Sequence, residues 1–238
     1  MGEHSLRTSL VASLEDARAK ESQLWAEPGD DTEAGEGGWR VRDHVAHLAA
    51  WRERAALLLR AARTGSEPPP QLGDEDVENA AIYARSRDLP VTEIKRQAAR
   101  SYDLLIDEVA ACTEEDLHRP HPLVPEREVW SSVPGNGHQH LADHLTFIAQ
   151  DRGRSEAAEA AQLWARELVF ETFADPTSLS HADYNLACYY ARLGQAEKAM
   201  PLLSAALEAN AGLRDWATRD HDLDPIRDRP EVKALLGG

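Results

Sequence analysis

The chain has 238 residues, 42% hydrophobic and 29% charged, enough for one large or two modest globular domains with a buried core. Its 26 Lys and Arg stand against 42 Asp and Glu, and the resulting charge of −16 repels phosphate backbones and anionic lipid; neither nucleic acid nor a membrane is expected as a partner. Cys112 and Cys188 form no CxxC pair, so a zinc knuckle and a dithiol redox site are excluded, and both read as core thiols.

Ala, Leu, Glu and Arg dominate and apolar residues recur at three- and four-residue steps, which predicts an all-α fold. The charged, amphipathic opening (Met1 to Lys20) has no apolar leader core, and a cytoplasmic location is expected. Leu6, Leu10, Leu14, Ala17 and Leu24 mark a first helix ended by Pro28–Gly29 and the Gly35–Gly38 segment. A second helix is predicted from Val41 to Ala62, a shorter one from Asp74 to Tyr83, and a longer one opened by Pro90 with the stripe Ile94, Ala98, Tyr102, Leu105 and Val109. Between Leu117 and Gly137, Pro120, Pro122, Pro125 and Pro134 predict a long loop or lid. Helical periodicity returns from Asn136 through Ile148 and again from Glu156 to Phe173.

From His181, read as the start of a helix, to Leu207, the positions of Leu186, Ala187, Tyr190, Gly194, Ala199, Leu203 and Ala206 resemble one tetratricopeptide helix–turn–helix unit, with Gly194 at the turn. A single repeat cannot bury its own apolar face, so it must stack on a neighbouring helix or on the bundle. The predicted division is a helical domain over 1–153 and a repeat-like tail over 154–238 whose closing stretch, Trp216 to Leu236, caps it.

Of the ten histidines, His4, His118, His121 and His221 read as solvated, and five fall in two helical windows, 44–47 and 138–144. His140 and His144 are one turn apart on one helix face, beside Leu141, Leu145 and Ile148, and can offer nitrogens to one divalent ion. His47, among Val45, Leu48 and Trp51, faces inward, whereas His44 is read as turned about 90° away. Taken singly, each is a core histidine. Together, three inward histidines are costly to bury without a shared purpose, and a metal accounts for them equally well.

Three segments carry a family resemblance. Trp39-Arg-Val-Arg-Asp-His-Val-Ala-His47-Leu-Ala-Ala-Trp51 resembles the second-helix signature of the DinB-like superfamily. Gly135-Asn-Gly-His-Gln-His140-Leu-Ala-Asp-His144-Leu resembles its fourth-helix signature in the ClbS/DfsB branch, and Asp76 to Tyr83 with Arg87-Asp-Leu89 resembles that branch's intervening segment. The resemblance covers about residues 5 to 152. It implies a DinB-like four-helix bundle, often a homodimer, with a metal triad that maps onto His47, His140 and His144. It also implies a thiol-dependent transferase or isomerase, or a hydrolase that disarms electrophilic toxins. The chain departs from the branch in its repeat-like tail and in Gly137, where that branch more often has Thr.

A three-histidine site keeps coordination positions open, as a catalytic ion requires. The cofactor is then a divalent ion, with zinc, nickel, iron and copper all suited to imidazole, together with a low-molecular-weight thiol if the reaction is a transfer. Asp43 either accepts the second ring proton of His47 or serves as a helix-terminal charge; Tyr83 either lines the pocket with Asn79 or packs helices. Trp51 is either a pocket wall or core, and Trp130, in the Pro-rich stretch, is the better candidate to touch a ligand. The sequence holds no GxSxG elbow, phosphate loop or dinucleotide fingerprint, and Cys112 has no basic neighbour to activate it. Two readings follow. One is a metal-dependent transferase or hydrolase acting on an electrophilic small molecule, for detoxification or self-resistance. The other is a non-catalytic module that sequesters a ligand, or docks a protein partner through the tail, which otherwise only covers a bundle face.

Overall fold

In a computed structural model, which describes residues 5–25 and 38–237, the chain is predominantly helical. The breaks expected at Pro28–Gly29 and Gly35–Gly37, and His4, lie outside the described residues. Thirteen helices appear among the described residues: α1 (Leu6–Ser22), α2 (Val41–Thr64), α3 (Glu75–Ser86), α4 (Val91–Ala111), α5 (Glu114–Leu117), α6 (Ser132–Asn136), α7 (His138–Asp151), α8 (Ser155–Thr172), α9 (Pro176–Arg192), α10 (Ala196–Ala209), α11 (Leu213–Ala217), α12 (Asp224–Arg227) and α13 (Pro230–Leu236). The chain forms two compact units, Met1–Ala158 and Glu159–Gly238, the division falling inside α8. No helix among the described residues is long and apolar enough to cross a membrane.

The first unit is a bundle of α1, α2, α4 and α7. α2 is its central member, touching α3, α4, α6 and α7, while α1 lies against α4 and α7. Local chemistry sets the ends of these helices. Ser5 caps α1 by accepting from the Thr8 amide at 3.3 Å, Asp74 caps α3 through the Asp76 and Val77 amides, and Pro90 caps α4. α2 stops at Gly65, whose φ of +70° is the left-handed conformation that glycine adopts without penalty.

The inward stripes predicted from the sequence form the core: Leu10, Leu14 and Ala17 of α1, Val45 and Leu48 of α2, Ile94 and Leu105 of α4, and Leu141 of α7 are all fully buried. So is one charge. Arg52 Nη1 donates to Glu21 Oε2 at 2.8 Å and its Nε to Ser101 Oγ at 2.9 Å, and the guanidinium lies 3.9 Å over the Tyr102 ring. This cluster ties α1, α2 and α4 together.

The loop expected between Leu117 and Gly137 is ordered structure instead. β1 (Pro120–His121) pairs antiparallel with β2 (Val124–Glu128), and His121 Nδ1 closes the turn by accepting from the amides of Leu123 and Val124. A 3-10 turn (Val129–Ser131) and α6 follow. A two-stranded ribbon has only edges, where proline's missing donor does no harm. Pro134 lies in the first turn of α6, where the amide would have no intrahelical partner.

In the second unit α9 and α10 form a hairpin. Gly194, at φ +69°, makes the turn, and Ala187, Ala199 and Ala206 are fully buried where the two helices close. α9 begins at Pro176, five residues before His181, because Asp175 caps it through the Ser178 amide and proline suits the first helical position. The apolar face of the hairpin is covered by Leu213, Ala217, Leu223, Ile226 and Val232 from the short helices that follow. Asp220 fastens that cover, accepting from the Tyr184 hydroxyl at 2.8 Å and the Trp216 indole at 3.0 Å. Both cysteines are free and buried, and burial pushes the Cys112 thiol pKa up.

Candidate metal centre

α7 carries His140 and His144 one turn apart, and α2, packed against it, carries His44 and His47. His47 Nε2 stands 3.1 Å from His140 Nε2, and His144 Nε2 stands 3.2 Å from His140 Nε2. The three rings form a group whose donor atoms all lie within 4.8 Å of one another. Two nitrogens bound to one ion at 2.0–2.1 Å in tetrahedral geometry are about 3.3 Å apart, so the observed separations are close to those of a ligand set.

The state of the rings also suits a cation. Burial pushes His47 down to about 4, with His44 adding to the effect. Burial, then His47 and Arg52, take His140 down to about 3, and burial holds His144 well below the usual histidine value. At neutral pH all three are uncharged imidazoles, the form that donates a lone pair. Among the described residues, Nδ1 of His47 and of His140 are buried without a hydrogen-bond partner. Three imidazoles facing one another, two of them with an unsatisfied outer nitrogen, fit a shared divalent ion better than they fit a hydrogen-bonded core.

Two members of the site escaped the sequence reading. His44 is not turned away. Three residues along a helix amount to a rotation of about 60°, and the ring reaches the cluster with Nδ1 2.7 Å from His144 Nδ1. Trp39, just ahead of α2, lies 5.2 Å from the His44 ring, 5.3 Å from His47 and 6.1 Å from His144, and stacks on Tyr83 at 5.9 Å. Its place in the signature Trp39-x4-His44-x2-His47 was the available signal.

The other residues singled out from the sequence divide. Tyr83 reaches the cluster through Trp39; Trp51 lies 6.1 Å from His47 and donates its indole N–H to Asn79 Oδ1 at 3.2 Å. Asp43 does not bond His47. Its carboxylate accepts from the Arg40 amide at 2.8 Å and from the Arg40 guanidinium, which closes the capping box at the start of α2 and braces the residue beside Trp39. Trp130 donates to Glu128 at 2.7 Å in the ribbon segment, whereas Trp39, Trp51 and Phe147 make ring contacts with the histidines. Phe147 meets His144 at 5.7 Å and is 44% exposed, so the cluster lies near the bundle surface.

No curated protein and no solved structure matches the chain. A family model for the DinB superfamily matches residues 7–150, which includes all four histidines of the cluster. With more than half of its length matched in this way, the chain belongs to the DinB superfamily.

Proposed function

We propose that His47, His140 and His144 hold a divalent metal ion and that the protein uses it to add a thiol or water to an electrophilic small molecule. The observation that carries this reading is the meeting of three neutral Nε2 atoms from α2 and α7 at ligand-like separations. A bound ion would supply Lewis-acid chemistry, lowering the pKa of a coordinated water or thiol and polarising the electrophile. The chain's own part is to hold and cover the reactants. Trp39 and Phe147 flank the histidines with apolar surface, Tyr83 backs Trp39, and the Trp51–Asn79 pair supplies polar groups beside it. The role in the cell would be detoxification or self-resistance.

Metal content by elemental mass spectrometry tests the site. Tag-free protein is expected to carry about one ion per chain, lost in His47→Ala and His144→Ala while the helical signal survives. The metal-loaded protein is then expected to accelerate thiol conjugation or hydrolysis of at least one member of a panel of epoxides, Michael acceptors and strained rings. A protein that loads metal but binds such a compound tightly and leaves it unchanged would be a sequestering protein. The aromatic surroundings of the histidines favour that second reading.

A further inference from the structure

Resting on the reading of His47, His140 and His144 as a metal triad, we infer that His44 is the positioning residue of that triad: its Nδ1 accepts a hydrogen bond from His144 Nδ1–H and so keeps His144 Nε2 free for the ion. His144 has two ring nitrogens on opposite flanks. Nε2 faces His140 Nε2 at 3.2 Å, inside the triad, and Nδ1 faces His44 Nδ1 at 2.7 Å, outside it. A contact of 2.7 Å between two ring nitrogens requires one proton between them. If that proton belonged to His44, neutral His144 would carry its own on Nε2 and could not bind metal there. If it belongs to His144, Nε2 is a bare lone pair, and His44 carries its remaining proton on Nε2.

The second arrangement agrees with the rest of the geometry. His44 is not among the rings whose donor atoms gather within 4.8 Å of one another, which suits an outer partner and not a fourth ligand. Outer partners of metal-bound histidines are usually carboxylates or carbonyls. Here Asp43, the carboxylate next to His44 in the chain, is committed to Arg40, and an imidazole takes the role. Burying His44 for packing alone would be a poor exchange. The ring is 5% exposed and its Nε2 has no hydrogen-bond partner among the described residues, a loss that a hydrocarbon side chain would avoid.

The test uses the full chain, stripped of metal and titrated with cobalt(II) alone, with zinc(II) for NMR of histidine-15N-labelled protein. His44→Leu removes the acceptor; His44→Asn keeps one, since Oδ1 occupies nearly the place of Nδ1. His44→Leu is expected to weaken cobalt binding about 10–100-fold and His44→Asn to restore most of it. In zinc-loaded wild type, His144 is expected to show its proton on Nδ1 and His44 its proton on Nε2, a result independent of how either variant folds. Unchanged cobalt affinity in a folded His44→Leu, zinc bound directly by His44, or a proton on His144 Nε2 in the zinc-loaded protein would each overturn the assignment. Wild type that takes up no cobalt would overturn the triad itself and this assignment with it. Uptake by wild type with an indifferent His44→Leu overturns the role of His44 alone.

Discussion

Glu21 and Arg52 form an ion pair in the middle of the bundle, Arg52 fully buried and Glu21 3% exposed, with both guanidinium Nη atoms on the two carboxylate oxygens at 2.8 and 3.2 Å. The pair joins α1 to α2 five residues after His47, and the Arg52 charge helps to keep protons off His140 and His144. Glu21→Gln leaves the guanidinium buried and uncompensated. It is expected to lower unfolding free energy by about 3–5 kcal/mol in urea, whereas the paired replacement Glu21→Leu with Arg52→Met is expected to lose far less. Equal losses would mean that the packing of the two side chains matters more than their charges.

Acid should act partly through Glu108. Burial alone raises its pKa, but hydrogen bonds from Arg63 and Arg60 outweigh that and hold it below the usual carboxylate range. A depressed carboxylate pKa contributes stability that is complete above the unfolded value of about 4.3 and is lost as pH falls through the lower folded value. Glu108→Gln is therefore expected to be less stable than wild type at pH 7 by about 1–2 kcal/mol, with allowance for half-exposed arginines, and the gap should close below pH 4. Denaturation curves at pH 7, 5 and 3 measure it; a gap that persists at pH 3 would assign the loss to packing.

Much of the bundle was legible because helix periodicity is local: the stripes of α1, α2, α4 and α7 and the one-turn spacing of His140 and His144 need no tertiary knowledge. What failed was of three kinds. His44 was misplaced by its helical angle, where a three-residue step is nearer one face than a quarter turn. Trp39 precedes its helix, so its position over the histidines depends on the path of the chain and on Asp43 bracing Arg40. The prolines at 120–125 were read as loop because proline breaks a helix, yet a two-stranded ribbon accommodates them.

Gly137 stands at the corner between α6 and α7. A β-carbon there would meet Leu14 Cδ2 and the Val133 carbonyl oxygen at 3.0 Å each, tighter than ordinary contacts, and the carbonyl is backbone that cannot easily yield. Gly137→Thr is expected to destabilise the protein by about 1–3 kcal/mol and to weaken metal uptake, because α7 starts at the next residue and carries His140 and His144. A stable variant with full uptake would show that the α6–α7 corner adjusts freely.

Asp220 should hold the second unit closed. Its carboxylate takes hydrogen bonds from Tyr184, Trp216 and the Asp222 amide, joining α9 to the segment that covers the hairpin. Asp220→Ala is expected to speed amide hydrogen exchange across 213–236 while leaving the protection of α2 and α4 unchanged, since the two units have separate cores. Exchange that rises equally in both units would mean that they unfold as one.

Trp39 offers an optical report on the metal reading. Its ring is within about 6 Å of three histidines of the cluster, and Trp51 is also close, at 6.1 Å from His47. Cobalt(II) bound at the triad is expected to quench part of the tryptophan fluorescence, in proportion to occupancy and reversed by chelator. Trp39→Phe keeps an apolar ring over the histidines but should remove the larger part of that response, leaving the smaller share from Trp51. The affinity from the residual signal should match that of wild type, since phenylalanine still excludes water from the nitrogens. If Trp39→Phe quenches as fully as wild type, the ion lies elsewhere. If the response disappears along with binding, Trp39 holds the histidines in place as well as covering them.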